Sequence, residues 1–152
     1  MSVAIRREGD IAEALGDFAT AIARHREALA LQDRHAALSP DFMQTRNLSL
    51  THIGRNQMKL GDIASARATL SQAVTDFETL VAANPEALRY RDDLAEAQAL
   101  SAEAWMAAPR DATQAQRAAD AAFAIWTEDE AAGRLSVPAS TRRARLREQL
   151  AK

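Results

Sequence analysis

The feature that most constrains this chain is an echo 45 residues apart. Gly9, Leu15, Gly16, Asp17, Ala19, Ala21, Ala28, Ala37, Pro40 and Arg46 recur as Gly54, Leu60, Gly61, Asp62, Ala64, Ala66, Ala73, Ala82, Pro85 and Arg91. Alanine matches carry little weight in an alanine-rich chain. The glycine and proline matches carry more. The chain holds only five Gly and four Pro, and four of those glycines and two of those prolines fall in register. A fixed period of this size marks a repeat array, in which each unit buries its apolar face by stacking on the next.

Composition selects the element that repeats. Hydrophobic residues make up 47% of the chain but aromatics only 5%. Alanine and leucine fill the gap, and both are strong helix formers. Val and Ile are few and no long stretch alternates apolar with polar, which argues against sheet. At 152 residues the chain fits one domain with a real core. A net charge of −2 gives no global attraction to nucleic acid or anionic membrane. The absence of cysteine excludes disulfides, thiolate metal sites and cysteine nucleophiles. Arg6, Arg7, Glu8, Asp10 and Glu13 break any secretory signal in the first fifteen residues. No apolar run approaches the roughly 20 residues of a membrane span. The expected location is therefore cytoplasmic.

Punctuation divides the chain into seven helices. The first spans about 2–15 and stops at Gly16-Asp17. Glycine suits a left-handed C-terminal cap, and aspartate can cap the helix that follows. The second spans about 18–38, with Ala21, Ile22, His25, Ala28, Leu29 and Leu31 as its inner face. Ser39-Pro40 opens the third, about 41–60, because proline is tolerated in a first turn. Gly61-Asp62 then opens a fourth over 63–83, and Asn84-Pro85 is expected to repeat the Ser-Pro junction before a fifth at 86–107. Ala108-Pro109-Arg110-Asp111 replaces the Gly-Asp turn, which predicts a connection about two residues longer. A sixth helix covers 112–132, Gly133 caps it, and Ser136-Val137-Pro138 opens a last helix to about 150. Short connections predict antiparallel neighbours. Gly9 and Gly54 fall inside helices, where each costs about 1 kcal/mol against alanine. Their recurrence implies close approach of the paired helix.

This script resembles the tetratricopeptide repeat, a helix–turn–helix unit with small residues at set positions, a Gly-Asp turn and a closing proline. The second copy carries it in Leu50, Ile53, Gly54, Gly61, Asp62, Ile63, Ala66, Leu70, Ala73 and Pro85. The first carries it in Ile5, Gly9, Gly16, Asp17, Phe18, Ala21, His25, Ala28 and Pro40, with Glu8 standing where the motif has an apolar residue. In the third copy Ala97, Leu100 and Ser101 stand in the first helix, but the Gly-Asp turn is gone. The period is 45 rather than the usual 34, so the units resemble a long-helix bacterial subgroup found at the C-terminal end of serine/threonine kinases and other signalling proteins. Ala122 to Trp126 and Ala132 to Leu135 look like the closing segment of such arrays.

The resemblance implies an all-α fold. Antiparallel hairpins at about 2–40, 41–85 and 86–133 stack as a right-handed superhelix, and residues 136–152 form a capping helix. It implies a non-catalytic scaffold that docks a protein or peptide in a concave groove lined by the first helix of each unit. Transferred residue by residue, the groove candidates are Arg6, Asp10 and Glu13, then Thr51, His52, Arg55, Met58 and Lys59, then Gln98. A clamp for a peptide carboxylate is not expected, since Asp10 and His52 stand where asparagines are needed. Arg6, His52 and Arg55 suit an acidic segment; the competing reading is an ordinary solvated face. A regulatory tail of a signalling protein is the alternative function.

Other chemistry is sparse. No two of His25, His35 and His52 have the i, i+4 spacing of a helical metal pair. His25 occupies a slot that is aromatic in the family, so packing rather than ligation is expected there. Phosphate-loop and hydrolase motifs are absent. No catalytic residue, cofactor, metal or small-molecule substrate is expected. Arg142, Arg143, Arg145 and Arg147 in the last helix suggest a basic nucleic-acid tail. The reading preferred is a cap in which Val137, Leu146 and Leu150 cover the last repeat and arginines meet water or the acidic run 128–130. Trp105 and Trp126 are expected in the core.

Overall fold

The computed structural model describes residues 2–34 and 39–152. The described residues form seven helices and no strand: α1 (Ser2–Ala14), α2 (Phe18–Asp33), α3 (Pro40–Lys59), α4 (Ile63–Ala83), α5 (Leu88–Met106), α6 (Ala112–Ala131) and α7 (Val137–Leu150). Each of α1 to α6 packs on the next, α3 also touches α5, and α7 packs on both α6 and α5. This is the nearest-neighbour pattern of a helical stack. None of the helices is long and apolar enough to cross a membrane. The expected end of the second helix at Leu38, the Ala37 match and His35 lie outside the described residues.

The turns follow from the echo. Gly16 and Gly61 both adopt φ of 79°. In each turn the glycine N–H donates three residues back, to Glu13 or Met58, at 3.0 Å. The following aspartate N–H donates five residues back, to Ala12 or Gln57, at 2.9 Å. Those paired bonds satisfy the last carbonyls of α1 and α3. The same aspartates then cap the next helices, Asp17 accepting from Thr20 N and Asp62 from Ser65 N. Gly133, with φ of 68°, ends α6 in the same way.

The third unit is rewritten as expected at one end and differently at the other. Five residues, 107–111, join α5 to α6, against three in each Gly-Asp turn. Arg67 on α4 holds this longer turn by donating to the carbonyls of Ala104, Ala107 and Pro109. Its guanidinium also lies 4.3 Å from the centre of the Trp105 ring. At the other end, Asn84-Pro85 does not repeat the Ser39-Pro40 junction. Ser39 accepts from Phe42 N and opens α3. Asn84 instead turns back and donates from its side chain to Leu80 O, closing α4. Helix α5 therefore starts at Leu88, two residues later than expected, and Ala87 provides no side-chain cap.

Packing explains the buried glycines. A Cβ added at Gly54 would meet Leu70 Cγ at 2.6 Å, and one at Gly9 would meet His25 Nε2 at 2.8 Å. The 45-residue register carries these pairs to Ala99 and Ala115, both fully buried. Two hairpins thus set glycine against a large side chain at the crossing, and the third carries a small, buried alanine at both matching positions. The recurring arginine has a matching task. Arg46 on α3 reaches Asp76 on α4 at 2.5 Å, and Arg91 on α5 reaches Glu128 on α6 at 2.5 Å.

The core follows the stack. Phe77, Leu80, Tyr90, Leu94 and Ala97 join α4 to α5. Trp126 and Leu146 close the far end among alanines of α5 and α6. On α2 the buried set is Ala21, Ile22, His25, Ala28 and Gln32. Leu29 and Leu31 are only half-buried, because the inner position at the end of the helix goes to Gln32, which accepts from the Ser49 hydroxyl at 2.9 Å. Leu146 is buried and Leu150 half-buried, whereas Val137 is 80% exposed and covers nothing. Trp105 is half-buried rather than enclosed.

The Gly54 contact yields a measurable outcome. Gly54→Ala gains about 1 kcal/mol of helix propensity, yet overpacking against a branched, buried carbon costs about 1–3 kcal/mol. Urea unfolding is expected to show net destabilisation. In a Leu70→Ala background the same change should become neutral or stabilising, as in the Ala99 and Ala115 copy. A Gly54→Ala effect identical in both backgrounds would refute the crossing as the cause.

Candidate functional site

Two adjoining features arise on the side of the stack formed by α1, α3 and α5. The larger is a cleft of about 650 Å³ between α3, α5 and α7. Met58, Ile63, Leu100 and Met106 give it an apolar lining. Arg55, Lys59, Arg142, Arg145 and Lys152 face Glu96 and Glu103 around them. Arg142 is committed to structure: it donates to Glu96 at 3.0 Å and to both oxygens of Glu103 at 2.7 and 3.1 Å. Burial works to raise the Glu103 carboxyl, but the Arg142 bonds and charge, a bond from Gln149 and the Arg145 charge hold it below its ordinary value. Lys59, Arg145 and Lys152 are exposed and form no salt bridge among the described residues. The cleft is therefore an apolar floor with an excess of positive charge at its margin.

Helix α7 makes one wall of that cleft. Leu146 anchors it in the core, Arg142 ties it to α5, and Arg143 forms a two-pronged pair with Glu130 of α6 at 2.8 and 2.7 Å. Arg147 lies 5.4 Å from the centre of the Phe123 ring. Three of the four arginines are thus used within the chain, which is the behaviour of a cap.

The smaller feature joins α1, α2 and α3. Glu13 Oε2 is 3.0 Å from His52 Nδ1 and accepts from Asn56 Nδ2 at 3.0 Å. Arg55 Nε lies 2.7 Å from Glu13 Oε1, although its N–H finds no aligned acceptor. Burial works to raise the Glu13 carboxyl, but the bonds from His52 and Asn56 and the Arg55 charge outweigh it and lower it to about 2. Arg55 Nη2 is also 2.7 Å from His52 Nδ1. One nitrogen cannot donate to Glu13 and accept from Arg55 at once, so the two contacts compete.

His25 lies beneath this surface. Its ring is fully buried and stacks on His52 with centroids 4.6 Å apart. Among the described residues neither ring nitrogen has a hydrogen-bond partner, and Asp10 Oδ1 has none either. Leaving such a buried group unpaired costs about 1–3 kcal/mol. Burial, then the neighbouring His52 and Arg55, lower the His25 pKa to about 4 against the opposing pull of Asp10 and Glu13. The expected packing role is correct for its burial, but it does not account for its unpaired nitrogens.

The structure sorts the nine groove candidates. Arg55, Met58 and Lys59 line the large cleft. Asp10, Glu13 and His52 line the smaller one, again with Arg55. Arg6 is half-buried on α1. Thr51 is buried and donates to Asn47 O. Gln98 faces elsewhere, lining a separate cleft with Trp105 between α4, α5 and α6. The third-copy residues of the large cleft are Leu100 and Glu103, with Glu96 beside them. Their signal was in the register: adding 45 to Arg55 and Met58 gives Leu100 and Glu103. No protein-family model matches the chain, and neither does any curated protein or any solved structure.

His25 makes stability depend on pH. In the unfolded chain the imidazole binds its proton near 6.5; in the folded chain it does so only near 4. Between those values the unfolded state holds the extra proton, so acid favours unfolding. With EDTA present, unfolding free energy should fall on the order of 3 kcal/mol as pH drops from about 6.5 to 4. Glu13 deepens the loss below its ordinary 4.5. His25→Leu, which copies the residue at the Leu70 slot, should flatten the slope between pH 6.5 and 4.5. A slope unchanged by that substitution would assign it to another group.

Proposed function

We propose that the chain is a non-catalytic, tetratricopeptide-like interaction module. Its partner is an acidic peptide segment with an aliphatic anchor, docked in the cleft between α3, α5 and α7. The observation that carries this reading is the cleft's composition. Methionines give an adaptable apolar floor, and five basic side chains stand around it against two acidic ones. Arg142 with its two glutamates leaves one net negative charge; against it stand Lys59, Arg145 and Lys152, an excess of positive charge to meet the acidic groups of a ligand. Charge of this kind steers and selects a partner more than it tightens binding. The apolar anchor supplies most of the affinity.

The Gly-Asp turns and size-matched hairpin crossings support the repeat reading. They are the positions on which the resemblance rests, and each has a physical use in the stack. In this reading the chain is a scaffold for another protein.

Selection of random displayed peptides on the immobilised protein tests the proposal. Enrichment of sequences with two or more Asp or Glu near a Leu, Ile or Met is expected. Those peptides should bind with a Kd that rises steeply with salt. Lys59→Glu with Arg145→Glu should weaken them at least about tenfold, as loss of two steering charges would, while circular dichroism and thermal midpoint stay near those of the parent. Enriched peptides that lack acidic residues, or that bind the double variant equally well, would sink the proposal.

A further inference from the structure

The geometry points to a divalent transition-metal site formed by Asp10, His25 and His52, one residue from each of the first three helices. One donor atom from each residue lies within 4.8 Å of the others. Asp10 Oδ1 is 3.7 Å from both His25 Nε2 and His52 Nδ1. A point equidistant from three atoms so placed is roughly 2.1–2.4 Å from each, close to the usual zinc bonds of about 2.0–2.2 Å to nitrogen and oxygen. Two imidazoles and a carboxylate suit zinc, and they also accept cobalt, nickel and copper.

A second observation is independent of that spacing. His25 is fully buried, and both its ring nitrogens lack a hydrogen-bond partner among the described residues. The matching slot in the next unit holds Leu70, also fully buried against its glycine. The slot therefore accepts a hydrocarbon, and packing gives no reason for an imidazole there. Asp10 Oδ1 is unpartnered as well. Buried polar atoms in this state call for an explanation, and one ion would satisfy His25 Nε2 and Asp10 Oδ1 together. The small cleft lined by Asp10, Glu13, Ala14, His52 and Arg55 gives access from solvent.

Two adjustments accompany binding. The imidazoles are stacked, with planes 23° apart, so their in-plane lone pairs run side by side. His52 is the more exposed ring, and it turns until its lone pair meets the ion. Arg55, now 2.7 Å from His52 Nδ1, swings away toward the larger cleft, which it also lines. In the metal-free protein the guanidinium is thus the cation that occupies the acidic pocket. Glu13, 3.0 Å from His52 Nδ1, is left as a second carboxylate beside the site.

The untagged full chain, stripped with EDTA, is the material for the test. Cobalt chloride should produce visible d–d bands that saturate at one ion per chain, and zinc chloride should abolish them. Zinc at a hundredfold excess over its Kd should raise the thermal midpoint by roughly 5 °C or more. Asp10→Asn and His52→Gln should each weaken zinc at least roughly tenfold, and His25→Leu should eliminate binding in a chain that still folds. His35→Gln should leave affinity unchanged. Arg55→Gln should tighten zinc roughly tenfold or more, because it removes a cation within a few ångströms of the ion. Absence of both the cobalt bands and the zinc shift in the parent chain would overturn the site. So would zinc affinity that survives Asp10→Asn with His52→Gln, or that Arg55→Gln leaves unaltered.

Discussion

The rest of the structure depends on how closely the two helices of a hairpin can cross. At Gly9 and Gly54 the first helix offers bare backbone, and the second inserts a large side chain against it. At the matching positions of the third hairpin, Ala99 and Ala115 are both small and fully buried. The crossing fixes the distance between helices, and the Gly-Asp turns fix where each second helix begins. Together they set which side chains of successive first helices face one another. Close packing leaves little freedom once those two constraints hold.

That arrangement was legible in the sequence where it is local. Glycines at 16, 61 and 133 are backbone features, and Asp17 and Asp62 cap over three residues. Each is decided within one turn of chain. Asn84 shows the limit of even local reading. Its side chain could cap forward or backward, and donation to Leu80 O was chosen by the end of α4 rather than by the start of α5. The late start of α5 follows from that choice.

The sites were less legible because they are assembled across helices. His25 and His52 are 27 residues apart, so no spacing rule within one helix brings them together. Their stacking is a product of how α2 lies between α1 and α3. Gln98 was a misplacement of a different kind. Position 98 is in register with Ile53, an inward position, and not with Arg55 or Met58. Leu100 and Glu103 were available by carrying the period one unit further. The pairing of Arg142 with Glu96 and Glu103 was invisible in the same way, since both glutamates lie on another helix, whereas Arg143 meets Glu130 of the acidic run that the cap reading offered to these arginines.

Arg55 stands where the two features meet. It lines both clefts, and its guanidinium is held by Glu13 and His52 rather than by a fixed partner in the large cleft. On the two proposals made above, an ion at Asp10, His25 and His52 releases this arginine toward the larger cleft. An acidic segment in that cleft draws the same arginine out of the cluster and so vacates the ion's position. Both ligands then favour one rotamer of one side chain. Thermodynamic reciprocity requires each to strengthen the other by the same factor. The coupling cannot exceed the free-energy difference between the two placements of Arg55. Two sites on neighbouring units would thereby communicate through a single side chain, without any change in how the helices pack.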